Sequence, residues 1–157
     1  MKSFHFKLDR VRNYKTQVLD KEKKVLGALQ RKRTEIIIKI NETENFKAET
    51  AAKAQKKQAK GISMVEMNSY SYLIENARQQ IKLLYEQLKK AEEEIEVQRK
   101  VVVAIYQEKT GMDKLEEKLY EEYLLLEAKE QENEVMQVIS NKLADKTQGG
   151  DDTAKLA

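Results

Sequence analysis

Few side chains in this sequence have the chemistry that catalysis or metal binding requires. His5 is the only histidine among the 157 residues, and there is no cysteine. A metal site built from Cys and His is therefore excluded, and a histidine-based catalytic triad would have only this one residue near the N-terminus. Glu92, Glu93 and Glu94 suggest paired carboxylates, but consecutive residues of a helix point in different directions. We therefore expect no catalytic residue, no metal site and no cofactor, and predict that the protein is not an enzyme.

The sequence also argues against nucleic-acid binding and against a membrane span. No glycine-rich phosphate loop is present, because the five glycines are scattered except for Gly149 and Gly150. The basic run 31–33 lies beside Glu35 and has no interleaved aromatic residue, so we predict no nucleic-acid partner. The apolar runs are far shorter than the roughly 20 residues that cross a bilayer. No secretory signal follows Met1, and the lack of cysteine is compatible with a reducing cytoplasm.

The residues named above must be positioned by long helices. Charged residues make up 36% of the chain, aromatic residues 6%, and there is no proline to interrupt a helix. In the second half, apolar residues recur in alternating steps of three and four, which indicates left-handed supercoiling against a partner helix. This ladder comprises Met67, Tyr70, Ile74, Ala77, Ile81, Leu84, Leu88, Ala91, Ile95, Gln98, Val102 and Ile105, and continues less purely through Lys109, Met112, Glu116, Leu119, Tyr123 and Leu126.

The first half carries a weaker ladder with the same spacing. Its predicted seam positions are Phe4, Leu8, Val11, Lys15, Val18, Glu22, Val25, Leu29, Lys32 and Ile36. Leu19, Leu26, Ile37 and Ile40 flank these positions and widen the apolar stripe. The polar members of the ladder are of the kind that fixes register at some cost in stability.

A helix stop and a helix start meet in the middle of the chain. Gly61 suits the left-handed position just past a helix end. Ser63 and Glu66 have the spacing of a capping box, and Ile62 and Met67 that of a hydrophobic staple. The charge also changes sign here, with 17 Lys and Arg against 7 Asp and Glu in residues 1–60, and 13 against 20 in residues 61–157. Complementary halves joined by a tight turn favour antiparallel pairing.

These patterns predict an all-α protein, a two-helix antiparallel coiled-coil hairpin in which helix 2 is longer than helix 1. Residues 1–146 would form this hairpin, with helix 1 at about 3–59, the turn at about 60–63 and helix 2 at about 64–145. The tail 147–157 is expected to be disordered. Pairing about the turn would place Phe4 opposite roughly Tyr120. Helix 2 would then overhang as an acidic segment, since residues 116–134 hold eight Glu against two Lys.

Features outside the heptads give the chain a resemblance to a known family. The start Phe4-x-Phe6-x-Leu8-x-x-Val11, the Gly61-Ile62 turn followed by Glu66, a tyrosine at 70 or 72, the length and the lack of proline resemble the flagellar export protein FliJ family. That resemblance implies a non-catalytic, stalk-like coiled coil of the flagellar type III protein export apparatus, which serves flagellum biogenesis and motility. It implies a cytoplasmic protein, peripherally associated with the inner face of the cell membrane at the flagellar base.

The resemblance also implies partners. Family members bind the hexameric export ATPase, the cytoplasmic part of the export gate membrane protein and export chaperones. By analogy with a rotary ATPase stalk, the open end of the hairpin is expected to bind the ATPase ring through Phe4, Leu8, Arg10, Arg12, Glu116, Glu117, Glu121 and Glu122. The face after the turn is a candidate for the gate contact, through Tyr72, Leu73 and Ala77.

Two alternatives compete with this interpretation. One is a holdase chaperone with prefoldin-like helical arms, which would need β-rich segments between its helices. The other is a structural dimeric coiled coil, in which the rod does not fold back at Gly61.

Overall fold

Two long α-helices account for nearly all of the chain. The computed structural model describes the backbone of residues 2–154 and the side chains of residues 2–149. Helix α1 spans Asp9–Lys60 and helix α2 spans Met64–Ala154, and the described residues contain no strand. The predicted all-α hairpin with a longer second helix is confirmed. The absence of strands in this part of the chain gives no support to prefoldin-like arms, and the fold-back at Gly61 rules out an unbroken rod.

The predicted turn consists of three residues between the helices. Gly61 has a φ of 89°, a left-handed conformation that a side chain would strain. The backbone amide of Glu66 donates to the Ser63 hydroxyl at 3.3 Å, which caps the start of α2. The Lys57 ammonium lies 5.6 Å from the centre of the Tyr70 ring. A hydrogen bond with Tyr70, reinforced by the charges of Tyr70 and Glu66, raises the pKa of Lys57.

Helix α1 begins later than the predicted residue 3. Residues 2–6 have no regular structure, residues 7 and 8 form a turn, and the first helical residue is Asp9. The Asp9 amide donates to the Phe6 carbonyl at 3.2 Å. Phe4 and Phe6 both pack inward, and a spacing of two residues brings side chains to one side only in an extended chain. We call residues 2–8 the strap.

Helix α2 ends later than the predicted residue 145. It continues through Ala154, so the expected disordered tail is helical up to that residue, and residues 155–157 lie outside the described part of the chain. No proline interrupts this segment. The Thr147 hydroxyl donates to the carbonyls of Leu143 and Ala144, at 3.2 and 2.8 Å, in the i−4 and i−3 pattern typical of a helix interior.

The inward face of α2 follows the predicted ladder. From Tyr70 to Glu116, the less exposed side chains recur at the predicted spacing, and Ala77, Ile81, Ala91 and Ile95 are buried. Ile36 and Ile40 of α1 form the core with Ala91, and Leu84 and Leu88 pack against it. Burial of these side chains supplies most of the free energy that holds the helices together.

The inward face of α1 is shifted by one residue at every second position. Lys15, Glu22, Leu29 and Ile36 lie where the sequence predicts. At the alternate positions, the side chains of Arg12, Leu19, Leu26 and Arg33 are less exposed than those of the predicted Val11, Val18, Val25 and Lys32. Beyond Ile36 the face continues through Ile40, Thr43, Lys47, Thr50 and Ala54. Half of this face is polar, because long basic side chains can bury their aliphatic stems while the charged ends reach acidic partners or water.

By its contacts the chain divides into two units, which we name by what they contain. The turn unit is Lys15–Gln107, and the terminal unit comprises the residues up to Tyr14 together with those from Glu108 onward. Within the turn unit, the Gln98 amide donates to the carboxylate of Glu22 and, at 3.1 Å, to its backbone carbonyl. A polar pair of this kind in an apolar seam fixes register, because a shift would leave both groups unpaired.

Candidate partner-binding sites

In the terminal unit, the strap holds an aromatic cluster against α2. The Phe4 ring lies edge-on to Tyr120, with centroids 5.2 Å apart, and 5.6 Å from the Tyr123 ring. The predicted facing of Phe4 and Tyr120 is therefore present. The Tyr123 hydroxyl donates to the carbonyl of Lys2 at 3.1 Å, which fixes the start of the strap. Aromatic pairs at these distances stabilise a site beyond the area that they bury.

An ion cluster lies next to the aromatic cluster. The Arg12 guanidinium binds Asp9 at 2.6 Å and Asp113 at 3.5 Å, and it forms a third ion pair with Glu116. Its carbon also lies 5.3 Å from the centre of the Phe6 ring, and Phe6 is only 5% exposed. Arg12 thus joins the strap, the first turn of α1 and helix α2. Arg12 therefore stabilises the packing of these three parts against one another.

The remaining predicted ATPase-binding residues of this unit are exposed. Leu8, Arg10, Glu117, Glu121 and Glu122 all face water, whereas Phe4, Arg12 and Glu116 are half-buried. Between the strap and α2 runs a groove lined mainly by apolar side chains, with Glu122 and Lys7 at its sides. Its apolar lining comes from Phe4, Phe6, Leu8, Leu119, Tyr123 and Leu126. The arrangement offers a partner an apolar contact with one carboxylate, Glu122, and one ammonium group, Lys7, at its sides.

The strap contact is expected to weaken at high pH. Burial, aided by the charge of Glu127, raises the pKa of Tyr123. Since the folded state favours the neutral phenol, the hydrogen bond to Lys2 stabilises the unit below about pH 10, and this stability is lost as the pH rises through the raised value. Titration of phenolate absorbance should show that Tyr123→Phe removes a tyrosine that ionises above about pH 10. A missing component at or below that pH would contradict the role of Tyr123 as a half-buried, neutral hydrogen-bond donor.

In the turn unit, the predicted gate-binding residues differ in exposure. Tyr72 is 71% exposed and Leu73 is partly exposed, and with Val65, Asn68 and Ser69 they line a shallow groove on α2. Ala77 is 3% exposed and lies in the seam against α1. A direct contact of Ala77 with a partner would require the helices to separate, so only Tyr72 and Leu73 are available on this surface.

Several residues of these sites were not among the predicted binding residues, although Leu119, Tyr123 and Leu126 were predicted as seam positions of α2. Phe6, Asp113 and Tyr123 complete the two clusters of the terminal unit, and Leu119 and Leu126 line its groove. The alternation Phe4-His5-Phe6 is a signal for an extended segment, and it is hidden when the same residues are fitted to a heptad. Asp113 gives no such signal, because an exposed carboxylate next to Lys114 is ordinary on a charged helix.

Two further features bear on chemistry and environment. Within the described residues, no group of three or more His, Cys, Asp or Glu side chains is arranged to hold a metal ion. Over the same residues, neither helix contains a stretch that is both long and apolar enough to cross a bilayer.

Comparison with known protein families gives a match that covers most of the chain. A family model described as Flagellar FliJ protein matches residues 4–136. No curated protein and no solved structure shows a significant match. The matched range contains α1, the turn, α2 as far as residue 136, the strap from Phe4 onward and the two candidate sites. The chain therefore belongs to the flagellar FliJ protein family, whose members are non-catalytic components of flagellar protein export.

Proposed function

We propose that this protein is a stalk-like adaptor that binds the hexameric export ATPase and links it to the export gate and to export chaperones. The observation that carries the proposal is the surface of the terminal unit, which combines an apolar groove flanked by Glu122 with further exposed carboxylates at Glu117 and Glu121. We further propose that it works in the cytoplasm, associated peripherally with the inner face of the cell membrane at the flagellar base. Membership of an export family supports both statements.

Within the terminal unit we assign two roles to the predicted ATPase-binding residues. Leu8, Arg10, Glu117, Glu121 and Glu122 are exposed and form the contact surface. Phe4, Arg12 and Glu116 position that surface through the aromatic cluster and the ion cluster. Exposed carboxylates that outnumber basic groups favour a basic surface on the partner and increase the rate of encounter at low salt.

We place the gate contact on the exposed part of the turn unit, at Tyr72 and Leu73. An exposed tyrosine beside an apolar side chain is a common anchor of protein interfaces, because it combines a large apolar area with a hydroxyl group. Ala77 supports this surface from below, since its small side chain lets the two helices approach closely. Export chaperones are a third class of partner in this proposal.

The experiment that tests the proposal measures ATP hydrolysis by the cognate export ATPase with and without this protein. The protein alone should hydrolyse no ATP, and its addition should raise the rate of the ATPase. Glu121→Lys combined with Glu122→Lys should weaken binding about ten-fold or more, because two attractive charges become repulsive at the contact. Loss of salt dependence should accompany the weaker binding.

A matched control is available on the same helix. Glu92 and Glu93 are also adjacent and exposed, but they belong to the turn unit. Glu92→Lys with Glu93→Lys makes the same change in net charge and should leave ATPase binding near the wild-type level. Equal weakening by both pairs would show a general charge effect and no specific site. A wild-type protein that neither binds nor stimulates the ATPase would refute the adaptor role.

A further inference from the structure

The last part of α2 carries an apolar stripe that no described residue covers. Every side chain from residue 128 to residue 148 is exposed. Five of them are large and apolar, namely Val135, Met136, Val138, Ile139 and Leu143. A helix that exposes a contiguous apolar stripe along one face usually binds another protein surface there.

The stripe lies on a different face of α2 from the one that packs against the rest of the terminal unit. Glu116 and Tyr123 mark the packed face, through the ion cluster and the aromatic cluster. Ile139 follows Tyr123 by 16 residues, which at 3.6 residues per turn places it about half a turn around the helix. The stripe is therefore no continuation of the hairpin seam, and it needs a partner of its own.

Part of the stripe is symmetric about Ile139, whereas Met136 and Val138 are mirrored by the polar residues Lys142 and Ser140. Val135 and Leu143 lie four residues to either side, and Glu132 and Lys146 lie seven residues to either side. All are on the Ile139 face, because steps of four and of seven both return close to the same side of a helix. The apolar pair is matched in type, whereas the outer pair is opposite in charge.

The matched pairs indicate which partner the stripe binds and in which orientation the two helices pair. If two copies pair antiparallel with the twofold axis at Ile139, each Val135 faces Leu143 of the other copy and each Glu132 faces Lys146. Parallel pairing would set Glu132 against Glu132 and Lys146 against Lys146, which is repulsive at both ends. We propose that this stripe binds the same stripe of a second copy of the chain, antiparallel and centred on Ile139. The proposal is independent of the export ATPase and of the gate.

The interface is small, so the dimer should be weak and concentration-dependent. Two helical segments of about 20 residues fall at the low end of specific protein interfaces, for which a Kd of about 10–100 µM is reasonable. The hairpin contacts use the opposite face and are unchanged on association. Dimer formation is thus expected to be reversible without unfolding.

Sedimentation of the full-length protein over the micromolar range tests whether the dimer exists. The wild type should pass from monomer to dimer as concentration rises. Ile139→Asp should stay monomeric throughout, because it sets two carboxylates against each other at the axis, and circular dichroism should show an intact hairpin. Gln137→Asp, an equally exposed change on the far side of the helix, should dimerise like the wild type. A wild type that is monomeric at the highest concentration, or an Ile139→Asp protein that still dimerises, overturns the proposal.

Charge exchange tests the direction of pairing. Lys146→Glu alone should weaken dimerisation roughly ten-fold, since two exposed charge pairs change from attractive to repulsive. Glu132→Lys alone should act similarly. The double variant with both changes restores opposite charges across an antiparallel interface and should recover wild-type affinity. If either single change leaves the affinity unaltered, Glu132 and Lys146 do not pair across the interface and the proposal is overturned.

Cysteine crosslinking gives an independent measure, because the natural chain has no cysteine. Under mild oxidation, Ile139→Cys should form a disulfide dimer, since both sulfur atoms lie at the axis. Glu132→Cys alone should not, because in antiparallel pairing its own counterpart is two heptads away. A mixture of Glu132→Cys and Lys146→Cys proteins should form the mixed disulfide. Self-crosslinking of Glu132→Cys as fast as that of Ile139→Cys would indicate parallel pairing and overturn the proposal.

Discussion

Replacing Ile81 with aspartate is expected to unfold the turn unit. Ile81 is 8% exposed and lies in the seam between the helices. The substitution removes a buried aliphatic side chain and introduces a carboxylate into the seam. A loss of about 3–5 kcal/mol in the free energy of unfolding is expected, which is a large part of the stability of an ordinary domain. Thermal and urea denaturation followed by circular dichroism would measure it.

Leu83 provides the matched control, two residues along the same helix. Its side chain is 58% exposed, so Leu83→Asp makes the same kind of change without burying a charge. A cost below about 1 kcal/mol is expected. Should both substitutions lower stability equally, the assignment of the seam on α2 would be in error. Leu84→Asp should resemble Ile81→Asp, because Leu84 packs against the core formed by Ile36, Ile40 and Ala91.

Arg12→Glu is expected to release the strap in the terminal unit. Arg12 is the cation that Asp9, Asp113 and Glu116 share, and its own side chain is only 19% exposed. The variant would place four carboxylates together and remove the guanidinium from the Phe6 ring. Since the acidic partners are themselves partly exposed to water, screening limits the cost to about 2–3 kcal/mol. Faster hydrogen exchange at the start of α1 and loss of the near-ultraviolet tyrosine signal would report it.

Arg10 serves as the control for Arg12, because it lies two residues away and is exposed. Arg10→Glu changes the net charge equally and should leave hydrogen exchange in the strap close to the wild-type rate. If the two variants loosened the strap alike, total charge would be responsible and the ion cluster would have no special role. The pair also separates stability from binding, since Arg10 belongs to the proposed contact surface and Arg12 to its support.

Helix α2 could be predicted almost residue by residue, and helix α1 only in part. The ladder of α2 leaves no choice, because residues such as Ile81, Ala91 and Ile95 have polar neighbours on both sides. In α1 the choice lies between neighbours, such as Val11 and Arg12, and hydrophobicity selects the wrong member of the pair. Arg12 faces inward because α2 supplies acidic partners there. The pattern of α1 alone does not show these acidic partners, because they lie about 100 residues away in the sequence.

The candidate sites show the same division. The facing of Phe4 and Tyr120 follows from counting residues around the turn, and it could be predicted. The extended strap could not be, because Phe4, Leu8 and Val11 also fit a heptad that starts near residue 3. The burial of Phe6 distinguishes an extended strap from a helix here, because Phe4 and Phe6 can both pack inward only in an extended chain. Ala77 was predicted both as a seam position and as part of the gate contact, and its 3% exposure agrees only with the seam.

The left-handed turn at Gly61 also bears on the order in which contacts form during folding. Lys57 and Tyr70 meet across it after closing a loop of a dozen residues, whereas Glu22 and Gln98 are 76 residues apart along the chain. Closing the shorter loop first costs less chain entropy, and each later pair then closes only a small additional loop. We therefore expect the turn unit to fold outward from Gly61. Contacts far from the turn are expected to form last and to open first.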